Sequence, residues 1–486
     1  MSTVQAANGD LLRPRQHFTP RQGWMNDPNG LVVHGGRWHL FFQHNPHGTD
    51  WGSMSWGHAW SVDLRTWHEE PVAIPHDADE DVFSGSVVVA RPTDRHDAPR
   101  AGDLVAVYTS VGTASSDRAG SQAQALATSA DGGRTWSKRA GGPVLDRGST
   151  DFRDPHVFRW SDGVDERWVM VAVEAVERAV VVYGSDDLVE WHPLSRFAPV
   201  IAVDGIWECP DLFPLTDPDS GDVRWVLLLS VGDGHPAGGS GMVAFIGDFD
   251  GETYTADAEP EWVDQGRDCY AGVTFTDALE GRRVMVAWMS NWQYAHVLPD
   301  HGWRGAMTLP RELALRTVDG RPRLVQHVAV EIAVPLAPPA SRPLELLAGS
   351  AVRITSPDGD PVGLRLRLER GQTSGDLLVD GPGCTLSWSL RDRELVLDRR
   401  VVGGYGAGSP FPSTTRVPLS GDTSSVELYF DNGSVEVVAD DGATVLTALL
   451  PPSAATPSLT LRAVGGGSVV GHLESSAHID QTPVPG

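Results

Sequence analysis

The chain has 486 residues, and its 38 Lys and Arg against 64 Asp and Glu give a formal net charge of −26. A surface this acidic repels nucleic acid and anionic membranes and favours a neutral ligand. No apolar run approaches the ~18 residues that a membrane-spanning helix needs.

Cysteine content and the first residues bear on metals and on location. Cys209, Cys269 and Cys384 match no zinc or redox spacing, so we expect no metal and no cofactor. Residues 1–10 contain neither the basic nor the apolar segment of an export signal. The sequence as given therefore predicts a cytoplasmic protein, or a secreted one if a leader has been removed.

A loosely held tail is expected over residues 1–14, and the first conspicuous motif follows at residues 24–30, Trp-Met-Asn-Asp-Pro-Asn-Gly. Asp-Pro and Asn-Gly are turn dipeptides, and they leave the carboxylate of Asp27 beside the ring of Trp24. A flat apolar face next to a fixed carboxylate suits a sugar-binding site. An Asx-turn between two strands is the competing interpretation.

A weak repeat organises residues 15–328. Ser-x-Asp followed by Trp occurs at residues 61–67, 129–136 and 185–191, with a decayed copy at 247–254, and a strand-like run precedes each copy. A strand, a tight Asp/Gly turn and a Trp at such intervals are typical of the outer hairpin of a propeller blade. The interval leaves room for about five blades, unless the recurrence is due to chance.

The character of the chain changes near residue 330. Residues 329–345 are rich in Pro and predict a linker, and residues 346–486 alternate in the manner of an antiparallel β-sandwich. The fold class predicted is therefore all-β, a five-bladed β-propeller followed by a C-terminal β-sandwich. We expect the sandwich to pack on the propeller through apolar contacts as a structural clamp; packing against a second subunit in a homodimer is the alternative.

Two further carboxylates stand out. Asp154 lies between Arg153 and a proline, where a surface ion pair is the alternative, and Glu208 is flanked by Trp207, Cys209 and a proline. Apolar surroundings would keep Glu208 protonated, as a general acid requires. The innermost strands of a propeller converge, so acids of the first, third and fourth blades can meet there and flank a glycosidic bond.

Ordered motifs along nearly the whole chain carry a resemblance. They include residues 13–20, 24–30, 41–46, 51–52, 55–59, 83–86, 153–155, 208–210, 268–271, 288–292 and 304–312. With these motifs the chain resembles glycoside hydrolase family 32, the β-fructofuranosidases, which include invertases, exo-inulinases and levanases. The resemblance implies a five-bladed β-propeller followed by a β-sandwich.

The resemblance also implies roles for individual residues. Asp27 corresponds to the nucleophile, Glu208 to the acid/base, and Asp154, with Arg153 beside it, to the group that holds fructose hydroxyls. The implied pocket for the terminal fructose is lined by Asn26, Gln43, Trp51, Phe83, Ser84 and Trp292, of which Trp292 is equally well explained as a structural residue on an inner strand.

The activity expected from the resemblance is that of a retaining exo-β-fructosidase acting on fructans, fructo-oligosaccharides and sucrose. A retaining mechanism predicts roughly 5–5.5 Å between the carboxyl groups of Asp27 and Glu208. Release of a disaccharide from levan, and transfer of fructose to another sugar, remain alternatives that use the same site. A fructan-binding propeller without catalysis is an alternative of another class. The expected partner is a carbohydrate, with neither nucleic acid nor membrane, and the protein is a monomer or a homodimer.

Overall fold

The computed structural model describes residues 12–480, apart from 94, 200–202, 219, 319, 334–340, 357–359, 401–408, 421–422 and 452–457. These residues form 36 strands, the single-turn α-helix α1 (Val330–Ala333) and three 3-10 turns, Leu279–Gly281, Ala295–Val297 and Asp440–Gly442. Five sheets hold strands β1–β23, and two sheets hold β24–β36. The prediction of an all-β chain with a five-bladed propeller and a sandwich is confirmed.

Each of the five sheets is one blade. Blade 1 contains β1 (Gly23–His34), β2 (Arg37–Asn45), β3 (Ser55–Ser61) and β4 (His68–Ile74), and β21 (Trp303–Arg304) pairs with β1 in parallel. Blade 2 contains β5 (Glu80–Val89), β6 (Leu104–Gly112), β7 (Gln122–Ser129), β8 (Ser137–Lys138) and β9 (Leu145–Asp146). Blade 3 contains β10 (Phe152–Ser161), β11 (Glu166–Glu174), β12 (Ala179–Ser185) and β13 (His192–Phe197).

The last two blades complete the ring. Blade 4 contains β14 (Trp207–Thr216), β15 (Val223–Val231), β16 (Gly241–Phe249), β17 (Tyr254–Ala256) and β18 (Glu261–Trp262). Blade 5 contains β19 (Tyr270–Thr274), β20 (Val284–Trp288), β22 (Arg311–Val318) and β23 (Arg321–Val328). The first strands β1, β5, β10, β14 and β19 contact one another in a closed circle, so they are the innermost strands.

The repeated Ser-x-Asp turns join the third and fourth strands of the first three blades, as predicted for an outer hairpin. The Asp63 carboxylate accepts the backbone N–H of Arg65 at 3.0 Å and of Thr66 at 2.8 Å. Asp131 and Asp187 accept backbone N–H groups in the same way in blades 2 and 3. The carboxylate thus satisfies backbone donors of the tight turn, which is why Asp recurs at this position.

Every innermost strand carries a β-bulge near its beginning. The regular pairing is interrupted between Met25 and Pro28, between Phe83 and Gly85, between Arg153 and His156, between Glu208 and Asp211, and between Tyr270 and Val273. A bulge bends a strand and re-aims its side chains. The interruptions fall at one end of the ring, and they contain or adjoin all three predicted acids.

The sandwich consists of two antiparallel sheets. The six-stranded sheet contains β24 (Arg342–Leu346), β26 (Val362–Leu368), β31 (Ser425–Asp431), β32 (Ser434–Ala439), β33 (Thr444–Leu449) and β35 (Val469–Ser475). The seven-stranded sheet contains β25 (Ala351–Thr355), β27 (Asp376–Gly381), β28 (Cys384–Ser389), β29 (Glu394–Asp398), β30 (Thr414–Pro418), β34 (Ser458–Val464) and β36 (His478–Asp480). Alternate residues of both sheets form one apolar core between them.

The boundaries of the predicted segments differ in two details. Arg13, in the predicted tail, donates a hydrogen bond to the Pro20 carbonyl at 2.7 Å and lies over the Trp303 ring at 4.7 Å. The first sandwich strand begins at Arg342, inside the predicted linker. Residues 1–11 of the tail and 334–340 of the linker lie outside the described residues.

The contact between propeller and sandwich contains the apolar packing that we expected, but it also contains buried charges. Arg311 of blade 5 is fully buried and donates to Glu436 of the sandwich at 2.5 Å and to Asp264 at 2.9 Å. His17 lies between Asp431 and Glu436, at 2.8 and 2.9 Å. A smaller apolar cluster that includes Leu309, Val328, Tyr429 and Val438 accompanies these groups. Buried charges therefore organise much of the interface, because Arg311 and His17 each meet a carboxylate of the sandwich.

Candidate active site

One pocket of about 290 Å³ opens at the end of the ring where the bulges lie. It brings together all ten residues that the sequence predicted, and it adds His296. The lining residues are Asn26, Asp27, Gln43, Trp51, Phe83, Ser84, Arg153, Asp154, Glu208, Trp292 and His296.

Asp27 lies within the bulge of β1 and receives three donors. The Ser84 hydroxyl donates at 2.7 Å, the Asn26 amide at 3.0 Å and the Cys209 thiol at 3.6 Å. Burial, followed by repulsion from Glu208, raises the pKa of Asp27 to about 6, although the donors oppose the shift. The Asp27 carboxylate is thus held in one orientation by donors that favour its ionised form.

Asp154 lies in the bulge of β10 with a φ of 60°, a left-handed conformation that is strained for a residue other than glycine. Its own N–H donates to the Thr109 hydroxyl at 2.8 Å, and its carboxylate accepts the Cys209 N–H at 3.0 Å. Burial raises its pKa to about 7; Arg153 opposes this shift, while Glu208 and Asp27 add to it. The Cys209 thiol lies between the two aspartates, 3.7 Å from Asp154.

Glu208 has polar rather than apolar neighbours, so the predicted apolar setting is wrong. The guanidinium of Arg153 donates to one carboxylate oxygen at 3.1 and 3.2 Å, and the Tyr270 hydroxyl donates to the other. Trp207 packs into the apolar cluster shared by blades 3 and 4. Neighbouring side chains along an extended strand point to opposite faces of the sheet. Trp207 therefore does not surround Glu208, although the two are adjacent in sequence.

The aromatic side chains at the pocket differ in exposure, and Trp24 does not offer the ring face that the sequence predicted. The Trp24 side chain is fully buried, and its indole N–H donates to Asn26 at 2.7 Å, so it orients a pocket residue and offers no face to a ligand. Trp292 stacks on Trp24 at 6.3 Å and lines the pocket. Trp51 is 44% exposed and meets Phe83 edge-on at 5.8 Å, which makes it the accessible aromatic face at the pocket mouth.

Three residues of the site were not singled out from the sequence. His296 lines the pocket and stacks on Trp24 at 5.5 Å, Tyr270 holds Glu208, and Cys209 bridges the two aspartates. Tyr270 and Cys209 stand inside motifs that carried the resemblance, so a signal for them existed. His296 lies in an irregular segment after β20 and offered none.

Among the residues that the structure describes, no group of three or more His, Cys, Asp or Glu side chains is placed to hold a metal ion. No helix within them is long and apolar enough to cross a membrane.

Comparison with known proteins is consistent across sequence and structure. The chain is 34% identical to an extracellular exo-inulinase of Aspergillus awamori, over 96% of this chain and 94% of that one. It is 44% identical to a levanase of Bacillus subtilis over 66% of its own length, and it spans about half the length of that relative, 47%. Invertase 2 of Saccharomyces cerevisiae is 40% identical over 63% of this chain and 58% of its own.

Solved structures extend the similarity to the whole fold. The crystal structure of exo-inulinase from Aspergillus awamori superposes with a TM-score of 0.86 at 32% identity, covering 97% of this chain and 98% of that one. A β-fructofuranosidase from Schwanniomyces occidentalis complexed with fructosyl-erythritol gives a TM-score of 0.81 at 28% identity, covering 96% and 97%.

Family models match both halves of the chain. The model of the N-terminal domain of glycosyl hydrolases family 32 matches residues 17–328, and the model of the C-terminal domain matches residues 332–479. The chain therefore belongs to glycosyl hydrolases family 32.

Proposed function

We propose that this chain is a retaining, exo-acting β-fructofuranosidase that removes terminal β-D-fructofuranosyl residues from fructans, fructo-oligosaccharides and sucrose. One observation carries the proposal: carboxylates from three blades meet in a single pocket of about 290 Å³. That volume is near the lower end for ligand pockets and suits one terminal sugar unit. The names levanase, exo-inulinase and invertase among the relatives support the substrate class.

In the proposed first step, the Asp27 carboxylate attacks the anomeric carbon C2 of the terminal fructose. Glu208, in its protonated form, gives its proton to the glycosidic oxygen as the C2–O bond breaks, and the remaining sugar leaves as an alcohol. The products on the enzyme are a fructosyl ester of Asp27 and an ionised Glu208. Arg153 and Tyr270 contact Glu208 and would stabilise this ionised form.

In the second step, Glu208 removes a proton from water while the water oxygen attacks C2. The ester bond to Asp27 breaks, and fructose leaves with its original β-configuration, since two inversions restore it. Glu208 is again protonated and Asp27 again ionised. The donors around Asp27 favour its ionised form, which is both the attacking and the leaving group.

Asp154 is assigned a binding role in this proposal. Its carboxylate adjoins that of Asp27 through the Cys209 thiol and faces the same cavity, where it would accept hydrogen bonds from fructose hydroxyls. Such bonds strengthen as the ring approaches an oxocarbenium-like transition state. The exposed ring of Trp51 would cover an apolar face of the sugar at the pocket mouth.

A time-resolved assay on sucrose, inulin and levan tests the proposal. Fructose as the only early product, released first as the β-anomer in the NMR spectrum, is the expected result. Early disaccharides or transfer products would move the protein to one of the two enzymatic alternatives with the same acids. Binding of all three substrates with no product would instead support the fructan-binding alternative.

We also make proposals about the segment boundaries, the assembly and the location of the protein. We propose a tail at residues 1–14, a propeller at 15–328, a linker at 329–345 and a sandwich at 346–486; the family-model limits 17–328 and 332–479 support the division. We propose a monomer or a homodimer, which light scattering of the purified protein distinguishes. The proposed location is the cytoplasm, or outside the cell if a leader is removed, and activity in medium against lysate decides between them.

A further inference from the structure

We infer that Arg399, a residue of the sandwich, is a positioning residue for the sugar pocket in the propeller and acts through Asp268 and Tyr294. The inference rests on the proposed function, because it takes Glu208 as the acid/base and Trp292 and His296 as walls of the fructose pocket. It gives the sandwich a part in the reaction within a single chain, without a second subunit.

Arg399 is 2% exposed and joins the two halves of the molecule. Its guanidinium donates to the Asp268 carboxylate at 2.6 Å and to the Tyr294 hydroxyl oxygen at 2.8 Å, both in the propeller. On its own side it donates to the carbonyls of Leu449 at 2.8 Å and Phe411 at 2.9 Å. It also donates to the Ser413 hydroxyl at 2.9 Å, and a planar guanidinium with several donors fixes these five partners relative to one another.

The first propeller segment fixed in this way leads to the acid/base. Asp268 lies two residues before the start of β19 and accepts the N–H of Leu449, in the sandwich strand β33, at 2.9 Å. Two residues later, Tyr270 donates its hydroxyl hydrogen bond to Glu208. Because the chain between them is only one residue long, a shift of Asp268 moves the phenol that holds Glu208.

The second segment forms the pocket wall. The Tyr294 hydroxyl donates to Asp268, and the Tyr294 ring meets Phe411 of the sandwich edge-on at 5.2 Å. Trp292 and His296 lie two residues on either side of Tyr294, and both line the pocket. Burial, with repulsion from Asp268, raises the pKa of Tyr294, so the phenol keeps the proton that it donates.

Both segments lie between strands, at residues 263–269 and 289–294, and contacts to the propeller and to the sandwich hold them together. On the propeller side, Val263 donates its N–H to the Met242 carbonyl at 2.9 Å, and Trp292 donates its N–H to the Ser240 hydroxyl at 3.1 Å. On the sandwich side, Gln265 donates its N–H to the Val445 carbonyl of β33 at 2.7 Å, and Arg267 donates to the Pro410 carbonyl at 2.6 Å. The sandwich therefore supplies part of the support of the irregular pocket wall, and a site of this kind is only as precise as its support.

The test uses the full chain with the substitutions Tyr294→Phe and Arg399→Lys. Tyr294→Phe removes the hydroxyl shared by Asp268 and Arg399 and keeps the ring against Phe411. We expect KM for sucrose to rise about 3- to 10-fold in Tyr294→Phe. The variant loses the hydrogen bonds of the hydroxyl to Asp268 and Arg399, so the segment that carries Trp292 and His296 is held less firmly. Arg399→Lys keeps the positive charge beside Asp268 but cannot reach all five partners, and we expect both a higher KM and a displaced basic limb in the pH profile of kcat.

Binding gives a second measurement that does not depend on turnover. Titration of each variant with fructose, followed by the fluorescence of Trp292 and its neighbours, is expected to show a Kd raised in parallel with KM. The matched control is His17→Gln, which breaks a buried contact between propeller and sandwich far along the chain from the pocket wall. It is expected to lower Tm while KM, kcat and Kd stay at the wild-type values.

Each outcome has one meaning. If Tyr294→Phe lowers Tm but leaves KM, the fructose Kd and the pH profile at the wild-type values, Arg399 is merely structural and the inference is overturned. This conclusion holds even if Arg399→Lys does not fold. If the wild-type protein itself releases no fructose from any substrate, the proposed function fails, and that failure is seen before any variant is compared.

Discussion

Removal of the Ser84 hydroxyl should shift the pH dependence of catalysis in a direction that the structure fixes. Ser84 donates to Asp27 at 2.7 Å and lowers the pKa of that carboxyl, which burial raises to about 6. A hydrogen bond to a charged group contributes about 1.5–3 kcal/mol, and 1.36 kcal/mol corresponds to one pKa unit. Since Asn26 and Cys209 remain as donors, we take the lower end and predict an upward shift of about one unit in Ser84→Ala.

The assay is kcat/KM for sucrose between pH 4 and 9, which reports ionisations of the free enzyme. The acidic limb of this pH profile reflects the coupled carboxyl groups of the pocket together and not Asp27 alone. The informative quantity is therefore the difference between the positions of the limb in variant and wild type. At pH 5 the variant should lose about tenfold more kcat/KM than at pH 8, which follows from a one-unit shift. Ser86→Ala is the matched control, because Ser86 lies on the same strand and its hydroxyl accepts the Val157 N–H instead. An equal loss in Ser84→Ala at all pH values would refute the reasoning.

Three further predictions follow from other contacts. Glu208→Gln should slow sucrose hydrolysis by about 10²–10⁴-fold, the range for general acid catalysis, but slow an aryl β-fructoside with an acidic phenol far less; equal losses on both substrates would remove Glu208 from that role. Arg311→Met should lower the free energy of unfolding by about 3–5 kcal/mol in denaturant titrations, because it leaves Asp264 buried without its cation and leaves Glu436 with His17 as its remaining cationic partner; an unchanged midpoint would contradict this. Burial disfavours charge on His17, but Asp431 and Glu436 raise its pKa from 6.5 to about 9, so its stabilising contribution is present below pH 6.5 and is lost as pH rises through 9. Tm of wild type should therefore fall over that window more than Tm of His17→Gln, and parallel curves would reject the assignment.

The fold was predictable because its signals are local. A Ser-x-Asp turn satisfies its own backbone donors within a few residues, as Asp63 does, so the same letters reappear wherever the same hairpin forms. The three acids were predicted from their local settings and from the convergence of the innermost propeller strands, whereas the other pocket residues came only from the family resemblance. All ten predicted residues line one pocket, but their chemical roles remain predictions.

The errors share one physical cause. Trp24 and Trp207 are near the acids in sequence, but strand geometry turns their rings into packed layers away from the cavity. Conversely, Tyr270 and His296 reach the pocket from the fifth blade and from an irregular segment, through contacts that no local pattern encodes. The polar interface around Arg311 was missed for the same reason, because its partners are separated from it by many residues of sequence.

The bulges of the innermost strands have a consequence for how such a site can change over evolutionary time. Asp154, Cys209 and Ala271 occupy the same place in three successive blades and share a positive φ, at 60°, 47° and 53°. The same bulge conformation therefore carries a carboxylate, a thiol or a methyl group, and the paired strands around it do not dictate which side chain stands there. A change of side chain at one of these positions therefore requires no new backbone. Asp154 lines the pocket directly, whereas Cys209 acts on it through its contacts with Asp27 and Asp154.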